Sequence, residues 1–127
     1  STFGTININQ PIFHLLFQFI MAYKIIVNNT KTDLTVSLLT RKGDQPMNPG
    51  PVVSDKVYAG KRVKIAYGDP SNPFLDGITL AWELGGSNAS QAQNVTKRGS
   101  AFDDLLNTND TVTITGLQTP EIKGSNS

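Results

Sequence analysis

The feature that most restricts this chain is the shortness and the period of its apolar runs. Between Tyr23 and Thr115, apolar residues recur at every second position in brief stretches, each closed by a cluster of Gly, Pro, Asn or Asp. Alternation of that kind belongs to half-buried strands, whose side chains point to opposite faces in turn. Helical spacing occurs once, where Phe102, Leu105 and Leu106 share a face behind Ser100. Ser100 stands as an N-cap with Asp103 three positions on, and Asp103 and Asp104 fall in the first turn where the helix dipole favours them. No segment is long enough for the crossover helix that parallel neighbours need, roughly a dozen residues in all.

The strands follow from the alternation. Tyr23, Ile25 and Val27 are expected on one face, with Lys24 and Asn28 opposite, and the turn 28–32 leads to Leu34, Val36 and Leu38 as the inward face of a hairpin partner. Arg41 to Pro51 holds three prolines and two glycines and reads as a loop, since proline cannot donate to a central ladder. A weaker strand covers Val52–Ala59. A better one covers Arg62–Tyr67, with Val63, Ile65 and Tyr67 inward. Ile78, Leu80, Trp82 and Leu84 form the cleanest alternation, and the polar Ser90–Arg98 suits a sheet edge. Thr111–Thr115 is the last strand, and the residues after Gly116 read as a tail.

The expected fold is therefore all-β, a two-sheet antiparallel β-sandwich of Ig-like or jelly-roll type with one short helix near residues 100–107. The domain spans 21–118, with an uncharged extension over 1–20 and a flexible tail over 119–127. In the extension, Ile6 and Ile8 alternate with Asn7 and Asn9, which suits either an added strand or a dispensable lead-in to Met21. A secretory signal or membrane-surface anchor is a third reading, although no basic residue precedes the apolar run. That run is interrupted by His14 and Gln18 and is shorter than the roughly 20 residues of a spanning helix.

Composition narrows the chemistry. The chain of 127 residues has no cysteine, one histidine (His14) and two glutamates, Glu83 and Glu121. Thiolate chemistry, disulfides, Cys-ligated zinc and a Ser-His-Asp triad in the body are excluded, while the compartment stays open. A net charge of +1 supplies no field for nucleic acid, and the short basic run Lys61, Arg62 and Lys64 suits a solvated strand face. Paired aspartates are the one enzymatic arrangement left, and nothing in their spacing singles out a pair.

The loop 68–77 is the candidate site, because Asp69, Asn72, Phe74 and Asp76 lie between two strands, where a rigid sandwich presents its binding groups. Those oxygens suit calcium without matching the spacing of a helix–loop–helix site, and with Phe74 they suit a sugar. The expectation is a non-enzymatic module that binds a protein or a second copy of itself. The alternative is a lectin-like carbohydrate binder, with calcium as an optional aid.

Overall fold

The computed structural model describes residues 22–43, 45–68, 74–116 and 121–126. The uncharged extension, Asp69 and Asn72 lie outside the described residues. Within them the chain forms β1 (Ala22–Asn28), β2 (Leu34–Arg41), β3 (Pro49–Val57), β4 (Arg62–Tyr67), β5 (Leu75–Leu84), β6 (Ser87–Asn94), helix α1 (Ala101–Asn107), β7 (Thr111–Thr115) and β8 (Glu121–Ser125). The strands make two four-stranded sheets, β4-β1-β7-β8 and β3-β2-β5-β6, which is the expected two-sheet sandwich. Every pairing is antiparallel except β1 with β7, which run parallel from Ile25/Thr111 to Asn28/Ile114.

One apolar core lies between the sheets. Ile26, Ile65, Val112 and Ile114 meet Leu34, Val36, Leu38, Ile78 and Leu80, and α1 adds Leu106. The short helix starts as its sequence dictates. Ser100 holds an extended conformation, and its hydroxyl accepts from the Asp103 N–H at 3.2 Å.

Several expectations need correction. On β1 the buried residues are Lys24, Ile26 and Asn28, the face opposite to the one that polarity suggests. Both polar side chains reach acceptors or donors that make burial tolerable. Lys24 donates its ammonium to the Asn109 carbonyl, and the Asn28 amide donates to the Thr32 and Val57 carbonyls at 2.8 Å each. Its oxygen accepts from the Thr30 N–H and hydroxyl. That network also shows why 28–32 makes no hairpin: β1 and β2 lie in different sheets, and Asn28 organises the crossing between them.

The proline-rich stretch ends sooner than expected, because β3 begins at Pro49 on a sheet edge, where a missing donor is tolerated. β5 begins at Leu75, so the last residues of the expected 68–77 loop belong to a strand. The segment read as a tail contains β8, which pairs with β7 from Thr115/Glu121 to Thr111/Ser125. Its alternation is too short and too polar to stand out in the sequence.

Candidate functional site

Two of the four site candidates lie among the described residues: Asp76 is buried and Phe74 is half-buried. Asp76 is 9% exposed, and its two carboxylate oxygens accept from the Met47 N–H at 3.0 and 3.1 Å. Its other neighbour is the Arg41 guanidinium, with Nε 3.4 Å from Oδ1. Phe74 lies against the same guanidinium, whose centre is 5.9 Å from the ring centroid. Phe74 and Asp76 are thus brought together around Arg41, a residue the alternation gave no reason to select.

Arg41 is buried because β2 changes phase there. The register of β2 against both neighbours shifts between Leu39 and Arg41, so Thr40 and Arg41 are both enclosed at 1% exposure. The guanidinium Nη2 donates to the Leu75 carbonyl at 2.9 Å and to Asp103 Oδ1 at 2.8 Å. Asp103 also accepts from the Gly99 N–H and the Asn107 amide, each at 2.8 Å. Asn107 in turn bonds Leu75 as a neighbouring strand would, accepting from its N–H at 2.8 Å and donating to its carbonyl at 3.0 Å. Burial pushes the Asp103 carboxyl up, but the Gly99 N–H, Arg41 and Asn107 together outweigh it and hold the group below its ordinary 3.8. This junction ties α1, the β2–β3 loop and the start of β5 into one unit. Its two carboxylates, Asp76 and Asp103, both face the Arg41 guanidinium.

The exposed surface differs most at the sheet edges. β4 carries Arg62 and Lys64, β8 carries Glu121 and Lys123, and β3 carries Pro49, Pro51, Asp55 and Lys56. Charges and prolines of this kind keep an open edge from pairing with another chain. β6, Ser-Asn-Ala-Ser-Gln-Ala-Gln-Asn, has neither. It is exposed at every position but Ala89, and among the described residues no strand lies beyond it.

The direction of its backbone groups follows from one bond and the register. Val95 N donates to the Asp76 carbonyl at 2.8 Å, and β6 pairs with β5 without a break from Asn94/Gly77 to Ser87/Leu84. In that phase Ala89, Gln91 and Gln93 exchange bonds with β5. Asn88, Ser90, Ala92 and Asn94 direct their N–H and C=O groups away from it, into solvent.

A groove of about 400 Å³ lies at the Gly85–Gly86 end of the same sheet. Asp33, Lys56, Glu83 and Asn88 line it with Thr35 and Trp82, and the Asp33 carboxylate already accepts from the Ala59 N–H at 2.9 Å. Among the described residues no cluster of three or more His, Asp or Glu side chains has a metal-binding arrangement, and no helix is long and apolar enough to cross a membrane. Comparison with protein-family models, with curated proteins and with solved structures finds no match to this chain.

Proposed function

We propose that the protein is a non-enzymatic binding module that associates through strand addition at β6. The observation that supports this reading is the contrast among the four sheet edges formed by the described residues: three carry charge or proline, and β6 is long, regular and uncharged. Strand addition draws its affinity from main-chain hydrogen bonds, so it needs unpaired N–H and C=O groups in a row and side chains that do not repel an incoming strand. Asn88, Ser90, Ala92 and Asn94 meet both conditions.

The test is the solution mass of the full chain by light scattering over a dilution series, beside Ala92→Pro. The Ala92 N–H points away from β5, so proline there removes an outward donor and leaves the intramolecular ladder whole. The expected result is self-association that Ala92→Pro abolishes while the circular dichroism stays unchanged. A full chain that is monomeric at every concentration, or an association that Ala92→Pro leaves intact, overturns the reading.

The groove beside Trp82 supports a second reading, carbohydrate binding, because it places carboxylates, an amide and an ammonium in one concave surface. In that case Glu83→Ala lowers affinity in a glycan screen without changing the mass. Calcium dependence of the binding is measured in the same screen.

A further inference from the structure

We propose that the strand added at β6 is the β6 of a second copy, antiparallel, about a two-fold axis that passes through Gln91. This inference rests on the strand-addition reading and names its partner and its register. The argument begins with the outward groups. In an antiparallel pair, residues whose N–H and C=O face the partner must stand opposite residues that do the same, so Asn88, Ser90, Ala92 and Asn94 can meet only one another. An axis at Gln91 sets Asn88 opposite Asn94 of the second copy and Ser90 opposite Ala92, and uses all four positions twice. Moving the axis to Ser90 sets Asn94 opposite Gly86, which belongs to the Gly85–Gly86 turn. Moving it to Ala92 sets Asn88 opposite Thr96, beyond the end of the strand.

The side chains agree with this register. Around Gln91 the sequence Asn88-Ala-Ser-Gln-Ala-Gln-Asn94 is close to its own reverse, with small residues flanking the centre and an amide at each end. Asn88 and Asn94 carry both donors and acceptors, so they bond across the junction in either sense. Gln91 meets its own copy on the axis, as an isologous contact requires. Charge agrees as well. β6 is uncharged, while Glu83 lies at one end of the hairpin and Lys97 just past the other, both exposed. An antiparallel pair brings the Glu83 end of one copy to the Lys97 end of the other. A parallel pair would place like charges together. The product is one continuous eight-stranded sheet across two sandwiches, closed by symmetry so that the bare edge is consumed.

The absence of cysteine makes the test direct. Residues on the axis at a non-hydrogen-bonded position have Cα atoms about 4.5 Å apart, inside the range a disulfide accepts. Full-length Gln91→Cys is oxidised near neutral pH, beside Ser90→Cys, Ala92→Cys and the distant, exposed Tyr58→Cys. The expected result is a disulfide-linked dimer for Gln91→Cys that forms at least tenfold faster than for the other three. Amide exchange of the unmodified chain gives an independent reading. Asn88, Ser90, Ala92 and Asn94 gain protection as concentration rises, while Gln91 and Gln93 are protected throughout. Association that Ala92→Pro abolishes but that cross-links fastest at Ser90→Cys or Ala92→Cys overturns the register and leaves strand addition standing. Association without preferential cross-linking anywhere on β6 overturns the edge itself, and a monomer at every concentration overturns both.

Discussion

The Arg41 junction and the β6 edge treat polar groups in opposite ways. At the junction, charge lies inside the molecule: Arg41, Asp76 and Asp103 are all 9% exposed or less and are tied to one another and to the backbone of Leu75 and Gly99. At the edge, the surface itself is without charge, and a row of backbone groups faces solvent. The contrast separates two uses of polarity. Buried and paired with opposite charge, it fixes loops and a helix in one arrangement. Exposed, uncharged and regular, it leaves backbone donors and acceptors open to another chain, on which the proposed association rests. The junction should therefore govern stability and leave association alone, and the edge should do the reverse.

Breaking the junction gives the largest effect. Arg41→Met leaves Asp76 and Asp103 enclosed without their cation, and such a loss costs about 3–5 kcal/mol, read from the urea midpoint. Next is Gly77→Ala. A Cβ at Gly77 would stand 2.5 Å from Asn94 Oδ1 and 2.8 Å from the Gln93 carbonyl, so β5 and β6 must separate. The expected cost is about 1–3 kcal/mol, and because the damage lies on β6, association should weaken with it.

The pH profile sharpens the same comparison, since the titrating groups lie away from the edge. Burial lowers the Lys24 ammonium from 10.5 to about 8, with Asp110 acting in the opposite sense. Between those values the unfolded chain binds more protons than the folded one, so stability rises as pH rises through the window. Tyr67 works in reverse. Burial lifts its phenol from 10.0 to about 12, the folded chain keeps a proton that the unfolded chain releases, and stability falls above pH 10. The denaturant midpoint should therefore pass through a maximum near pH 10, and Lys24→Met should flatten its rising limb.

Smaller again is Met47→Gly. Met47 has φ of 65°, where its N–H reaches Asp76, and a glycine there relieves a strain of about 1 kcal/mol, partly offset by the freedom it gives the unfolded chain. The smallest change in stability belongs to Ser90→Lys, within about 0.5 kcal/mol because the site is exposed. That variant should nonetheless lose the self-association of the full chain, and an equal loss from Arg41→Met at temperatures where it remains folded would dissolve the distinction between the two regions.

The sequence made some of this legible. β4, β7 and β2 as far as Leu38 follow their periodicity, with the apolar residues inward, whereas on α1 the buried residues are Asp103 and Leu106, and Phe102 and Leu105 are half-buried. The polar run is legible as a sheet edge, since a run with no apolar face cannot sit in the middle of a sheet, but its span is not. The strand expected over 90–98 occupies Ser87–Asn94, because Ser87 and Asn88 pair with Leu84 and Glu83 directly across the Gly85–Gly86 turn. What the pattern hid was polarity turned inward. Lys24 and Asn28 look like surface residues until their partners, 85 residues away in one case, are known. Arg41 ends an alternating run, and only the shift in register, which depends on both neighbouring strands, encloses it. Asp76 and Phe74 carry the composition of a binding loop, and the same oxygens and ring serve to hold Arg41.

The parallel pairing of β1 with β7 has a consequence for how the molecule assembles in time. Sheet β3-β2-β5-β6 is complete once the chain has reached Asn94, whereas sheet β4-β1-β7-β8 cannot close until β7 arrives beside the first strand. Contacts so distant in sequence form slowly. Until β7 is in place, the face of sheet β3-β2-β5-β6 that carries Leu34, Val36, Leu38, Ile78 and Leu80 lacks the Val112 and Ile114 that cover it in the native fold. If β6 joins two native copies as proposed, the same open edge is where incomplete copies would join wrongly, and slow closure of the second sheet favours aggregation.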